Sequence, residues 1–242
     1  MSSTTLSALL ARLMPYDVYE RHAVTSRLLT MALGHLDVAH VLDVGGRAEL
    51  LARFLPWPVT SVNVDGSGRL WGSGLALPFA DGAFAAVVSI DTLEHLPGER
   101  RESFLRECLR VAQSHVLVAA PFGSAGHSAY EARLDELYRA AHGAPHPYLA
   151  EHVQYGLPGS AEIDYWAETL PAARVRRFFA GDYVWQGKQF ERTIRQPHRT
   201  GLLARLAGVY ADVTSRALFH PIRLREQASA TTNRFYLLIQ KG

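Results

Sequence analysis

His40-Val41-Leu42-Asp43-Val44-Gly45-Gly46-Arg47 is a short β-rich run that ends in a glycine pair. Ala48 to Leu55 follows, closed by Pro56, with its apolar positions spaced for a helix. Strand, glycine turn and helix in that order decide how the rest is read. A second strand, Val59 to Val64, comes after Trp57-Pro58 and ends in Asp65-Gly66-Ser67-Gly68. Ala83 to Ile90 and Ser114 to Ala120 are continuous apolar runs, separated by a charged helix from Gly98 to Ala112 with Pro97 near its start. Strands that lack polar alternation and alternate with helices belong to a mostly parallel sheet covered on both faces. The expected fold class is therefore α/β, doubly wound.

Working outward, Thr5 to Met14 and Val18 to Leu36 carry Leu, Ala and Met at three- and four-residue spacings, which predicts two amphipathic helices broken by Pro15. Between Val64 and a third strand around Leu70 to Gly72 there are only five residues, Asp65 to Arg69. A parallel crossover through a helix needs about a dozen, so this unit is expected to have lost its helix. Downstream of Pro121, Tyr130 to Ala141 and Ser160 to Leu170 read as helices, the second with Ser160 as cap, and His146, His152, Pro145, Pro147, Tyr148 and Tyr155 interleave between them. Glu191 to Arg225 holds seven Arg against two acids, with Leu202, Leu206, Tyr210, Val213 and Ala217 in an apolar stripe. Such a stripe suits burial against the sheet, with peripheral contact to a membrane surface as the alternative.

The chain has 242 residues, 48% apolar and 20% charged, enough for one good core. Its 25 Lys plus Arg against 23 Asp plus Glu leave +2, which gives no sign of a nucleic-acid partner. A single cysteine, Cys108, forms no internal disulfide and no thiolate cluster. With one Arg and no long apolar stretch in the first residues, and no later run of the length a bilayer demands, the expectation is a cytoplasmic protein without a signal peptide or a spanning helix.

In such sheets ligands sit beyond the carboxyl ends of the strands. That directs attention to Asp43 to Arg47, Asp65 and Ile90 to His95. Asp65 lies 20 residues beyond Gly45, the spacing at which a carboxylate meets the ribose of a nucleotide-like cofactor. The runs Val41-Leu42-Asp43-Val44-Gly45-Gly46, Asp65, and Leu77 to Pro97 with Asp91-Thr92-Leu93-Glu94-His95 together resemble the class I S-adenosylmethionine-dependent methyltransferases of the broad small-molecule (type 11-like) kind. The resemblance implies a Rossmann-like, mostly parallel seven-stranded sheet with an antiparallel last strand, the final pair coming from Arg174 to Ala180 and Arg234 to Gln240. It implies an N-terminal helical extension over 1–38, a cofactor-binding core over 39–122, a helical insertion over 123–172 as acceptor cover, and C-terminal strands and helices over 173–242.

The cofactor implied is S-adenosyl-L-methionine. Asp43, Gly45 and Gly46 would hold its methionine moiety, Asp65 its ribose, Ser73 with Gly74 and Leu75 its adenine, and Asp91 would stand beside the methyl group. The chain departs from the family pattern at Arg47 and Glu49, where glycines are expected, at Ser73, where an acid is expected, and at Ala85, where Asp is common. His95, after the fourth strand, is the candidate general base. Tyr16, Tyr19 and Arg21 on one side, with His146, His152 and Tyr155 on the other, are the groups expected to line the acceptor entrance. This lining suits a small-molecule or glycan-type acceptor methylated at O or N.

No metal is implied, since no acid and His pair falls at a spacing such as His-Glu-x-x-His. A degenerate fold acting as a non-catalytic binding or assembly subunit is the competing reading, favoured by the four departures and opposed by Asp43, Asp65 and the Asp91 to Pro97 run. An NAD-dependent oxidoreductase is disfavoured, because the dinucleotide fingerprint wants three ordered glycines.

Overall fold

The computed structural model of the chain describes residues 14–195 and 222–242. Seven strands form one sheet: β1 (Val41–Val44), β2 (Val59–Asn63), β3 (Leu70–Trp71), β4 (Phe84–Ile90), β5 (Ala112–Pro121), β6 (Ala172–Ala180) and β7 (Arg234–Lys241). Their order across the sheet is β3-β2-β1-β4-β5-β7-β6. The pairs from β3 through β5 are parallel, and β7 is antiparallel to both β5 and β6. The expected α/β sheet with a reversed last strand is what the chain forms.

The burial explains why the strand sequences lack polar alternation. Val41, Ala86, Val88, Leu117 and Ala119 turn to one face, where Val24, Leu28, Leu29 and Leu33 of helix α1 (Tyr16–Leu33) cover them. Leu42, Val44, Val87, Val116 and Val118 turn to the other, against Phe104, Leu105 and Cys108 of α2 (Gly98–Val111). Both sides of the period-2 pleat are thus dry. Each large side chain buried this way contributes about 1.5–3 kcal/mol of transfer free energy. Cys108 sits in this layer, and burial pushes its thiol well above the ordinary value.

β2 and β3 pair in parallel with no helix between them. The loop needs to step back only to the level of Val62, which faces Leu70, so a turn through Gly66 at φ +77 suffices.

Beyond the sheet, α3 (Ala125–His142) and α4 (Pro147–Tyr155) follow β5, and α5 (Ser160–Thr169) packs Ile163 and Trp166 into the core. Ser124 caps α3 by accepting from the His127 N–H, and Gly143 at φ 75 ends it. Helix α6 (Tyr183–Arg195) completes the described elements. Among the described residues no helix is long and apolar enough to cross a membrane.

Four local expectations change. Ala48 to Leu55 is not an α-helix but a turn with a short 3₁₀ segment at Leu51–Arg53, because Glu49 takes a left-handed φ of 64. The second strand stops at Asn63, one residue early, since its partner β1 ends at Val44 opposite Val62. Ser160 is the first helical residue of α5 rather than its cap; Gly159 holds the cap position and no side chain bonds there. Helix α6 has no counterpart in the sequence reading, although Asp182 accepts from the Trp185 N–H at 2.9 Å in the manner of an N-cap. The Thr5 to Met14 helix falls, all but Met14, on residues 1–13, and the Leu202 to Ala217 stripe on 196–221, outside the described residues.

Candidate active site

A cavity of about 1550 Å³ opens at the carboxyl ends of β1, β2 and β4. Asp43, Gly45, Gly46, Asp65, Ser73, Gly74, Leu75 and Asp91 all line it. The fold brings them together because β1, β2 and β4 are neighbours and end at the same level.

The floor is the β1 turn. Gly45 has φ +82, and a Cβ there would run into the Thr92 side chain; at Gly46 it would run into the Asp43 carboxylate, and at Gly74 into the Phe104 ring. These three glycines let the backbone lie flat on its neighbours. Asp43 is fully buried, and burial pushes its carboxyl up to about 7. Its Oδ1 has no hydrogen-bond partner in the protein. A buried acceptor left open at a cavity floor invites a donor or cation from a ligand.

The β2 side holds Asn63 and Asp65. Asn63, the last residue of the strand, donates to the Gly45 carbonyl at 2.8 Å and to Ser67 Oγ at 3.1 Å, tying the two turns together. Its place at the strand end gives it no spacing signal of the kind that marks the acid two residues on. Asp65 is exposed in the turn and accepts from the Ser67 N–H at 2.8 Å. Hydrogen bonds from Ser67, with Arg47 nearby, hold its carboxyl below the ordinary value.

Beyond β4, Asp91 takes a left-handed φ of 52. Its carboxylate is paired with Arg21 at 2.7 Å and with Arg234 of β7. Arg234 is buried, and burial pulls its guanidinium down to about 10. The ion pairs hold a strained residue in place at the cavity wall.

The opposite wall is built from the 3₁₀ turn Leu93–His95, α3 and α4. His95 Nδ1 lies 2.6 Å from Glu151 and His152 Nδ1 lies 2.8 Å from Glu131, with the two rings 5.0 Å apart. His127 Nε2 is 3.4 Å from the other Glu131 oxygen. Burial alone would raise Glu131, yet the hydrogen bonds from His127 and His152 outweigh it and hold its carboxyl at about 2. Glu94 is buried, and burial pushes its carboxyl up to about 8. Burial also lowers His95, helped by the charge of His152.

This wall is stapled from behind by Arg101, itself 2% exposed. It donates to the Leu93 and Leu96 carbonyls at 3.1 Å each, to Glu162 at 3.0 and 3.1 Å, and to the Tyr155 carbonyl at 3.1 Å. One guanidinium thus fixes the His95 turn against the end of α4.

Of the expected acceptor residues, Tyr16, Arg21, His146 and His152 line the cavity. Tyr19 and Tyr155 do not. Tyr19 packs toward Phe54 with ring centroids 6.1 Å apart. Tyr155 is the last residue of α4, ahead of Gly156 at φ 72, and contributes its carbonyl to Arg101. Glu94, Glu131 and Glu151 were not singled out in the sequence. Only the Asp91 to Pro97 run hinted at Glu94, because the partners lie on separate helices far along the chain. Trp185, Gln186 and Phe190 of the unforeseen α6 also line the cavity.

Residues 45–119 match the family model described as "Methyltransferase domain". No curated protein matches the chain. Among solved structures, a protein of Galdieria sulphuraria assigned as a sarcosine dimethylglycine methyltransferase is 16% identical, with a TM-score of 0.54, over 90% of this chain and 85% of its own. An S-adenosylmethionine-dependent methyltransferase of Thermotoga maritima is 9% identical with a TM-score of 0.53 over 94% of this chain and all of its own. Phosphoethanolamine N-methyltransferase 2 of Haemonchus contortus, crystallised with phosphomonomethylethanolamine and S-adenosylhomocysteine, is 14% identical with a TM-score of 0.50 over 90% of this chain and 52% of its own. At such identities these likenesses speak for the fold.

Proposed function

We propose that the chain is a class I S-adenosylmethionine-dependent methyltransferase, as its fold and its matched core support, and that it transfers a methyl group to a small-molecule or glycan-type acceptor at O or N. The observation that carries this is a cavity in which the β1 turn, Asp65, Ser73 to Leu75 and Asp91 meet a second wall of His and Glu side chains. The residues present fit S-adenosylmethionine. Asp43 Oδ1 is an unpaired buried acceptor at the floor, suited to a cationic amine, and Asp65 offers an exposed carboxylate on the β2 side. When bound, the cofactor would supply an activated sulfonium methyl for in-line attack by an acceptor lone pair, with the thioether sulfur as leaving group.

The chain's own residues have correspondingly modest chemical work. Methyl displacement is favoured chiefly by holding the two partners in near-attack geometry. Arg101 and the Asp91 ion pairs make both walls rigid for that purpose. At the acceptor side, the His95 and Glu151 pair is the place where a proton released by a hydroxyl or ammonium acceptor would go. Tyr16, Arg21 and His146 offer the polar and aromatic lining that suits a sugar, a phenol or a phosphate-bearing molecule.

The test is release of S-adenosylhomocysteine from S-adenosylmethionine across a panel of hydroxylated and amino acceptors. At least one acceptor should raise release well above the acceptor-free rate, and Asp65→Ala should abolish the gain at low cofactor concentration. A cavity that binds the cofactor yet supports no transfer to any of them would favour the non-catalytic reading.

A further inference from the structure

We propose that Glu94, His95 and His152 bind one divalent transition-metal ion of the zinc type in the cavity wall between the Leu93–His95 turn and α4. Each of the three offers a ligand atom, and these atoms lie within 4.8 Å of one another. In a tetrahedral zinc site with bonds of about 2.0–2.2 Å, ligand atoms stand about 3.4 Å apart. The three atoms, spread over at most 4.8 Å, would draw in toward that spacing on the ion.

Two independent features indicate that the trio awaits a ligand. Glu94 is 1% exposed and its Oε2 has no partner; the same holds for Nε2 of His152, whose side chain is 10% exposed. Buried polar atoms left without a partner are uncommon in a settled interior. The second feature is the support behind the histidines. A carboxylate can only accept, so Glu151 and Glu131 draw the Nδ1 proton of His95 and His152 and leave each Nε2 as a lone pair. Carboxylate behind imidazole is the usual way a metal-ligating histidine is oriented. Glu131 is itself held by His127 at 3.4 Å, and Arg101 fixes the His95 turn to the end of α4.

Two imidazoles and one carboxylate favour zinc, iron(II) or manganese(II) over magnesium or calcium, which prefer oxygen ligands. Three protein ligands leave coordination positions open toward the cavity, as in catalytic rather than structural sites. In the loaded protein His95 is a ligand instead of a free base, and an acceptor oxygen on the ion would be oriented and polarised by it. That role toward the acceptor rests on the methyl-transfer reading; binding of the ion does not.

The experiment is calorimetric titration of untagged, chelator-treated and dialysed protein with zinc chloride, with manganese(II) binding followed in parallel by the loss of the free-ion paramagnetic signal. One ion per chain is expected, at micromolar or tighter affinity, with magnesium binding far weaker. Glu94→Gln and His152→Ala should each weaken zinc at least 100-fold, and Glu131→Gln about 10- to 100-fold, whereas His115→Ala, on the far end of β5, should leave it unchanged. Glu94→Gln keeps size and shape, so it reports on the site even if His152→Ala unfolds. Absence of saturable binding, binding that survives Glu94→Gln in folded protein, or a preference for magnesium would overturn the proposal. Titration of the metal-free protein with S-adenosylmethionine is run alongside: cofactor binding without zinc binding sinks only the metal site, and zinc binding without cofactor binding sinks only the methyl-transfer reading.

Discussion

Asp43 links the chemistry of one side chain to the stability of the whole chain. Burial raises its carboxyl from the ordinary 3.8 to about 7, so between those values the folded state holds a proton that the unfolded state has released. Stability must then fall as pH rises through that window, by up to about 4 kcal/mol, and level off above it. Thermal unfolding of wild-type and Asp43→Asn protein across pH 4 to 8 checks the sign: the variant should lack this fall. Saturating S-adenosylmethionine should shrink the wild-type loss if a cation meets the open oxygen. Asp65 is the contrasting carboxylate. It is exposed and ends no buried contact, so Asp65→Ala should weaken cofactor binding about 10- to 100-fold, as loss of a charged hydrogen bond does, with the melting temperature nearly unchanged. Unaltered affinity in calorimetry would show that this carboxylate meets only solvent and Ser67. Asp43 and Asp65 were both legible as residues; the opposite demands on their charge were not, because burial is a property of the fold and not of spacing.

At the scale of elements, the β1 turn and the α4 wall behave differently. Gly45 needs φ +82 and has the Thr92 side chain where a Cβ would stand. Gly45→Ala is expected to cost about 1–3 kcal/mol in unfolding free energy and to lose cofactor affinity with it, measured by denaturant melts and titration. On α4, His152→Ala should lower methyl-transfer turnover while leaving cofactor affinity within about twofold, and Tyr155→Phe should change neither, since Tyr155 serves through its carbonyl. The strands were readable from apolar runs because both sheet faces are covered. The Ala48 to Leu55 helix misled, since its apolar spacing is real but Glu49 at φ 64 breaks the helical path. Helix α6 has no counterpart in the sequence analysis although Asp182 offers a cap and Tyr183 to Arg195 is amphipathic, because its last turns merge into the Arg-rich stretch that begins at Glu191. The Glu94, His95 and His152 cluster had no linear signature, as it is assembled from a turn and a helix more than fifty residues apart in the chain.

Across the whole molecule, buried polar bridges tie the N-terminal helix and the last strand to the cavity. Tyr16 donates to Glu20 at 3.0 Å, and Gln186 of α6 donates to the other Glu20 oxygen at 2.6 Å. Arg234 on β7 and Arg21 on α1 converge on Asp91. Removing one partner of a buried pair typically costs about 3–5 kcal/mol. Arg234→Ala is therefore expected to lower stability by that order and to raise the cofactor dissociation constant with it, because the strained Asp91 loses its second anchor. What the cavity holds is read most directly by calorimetric titration of the purified chain with S-adenosylmethionine and with S-adenosylhomocysteine, set against NAD. One site per chain for the first two and no heat from NAD is the predicted result; folded protein that binds neither of the first two at millimolar concentration would contradict it.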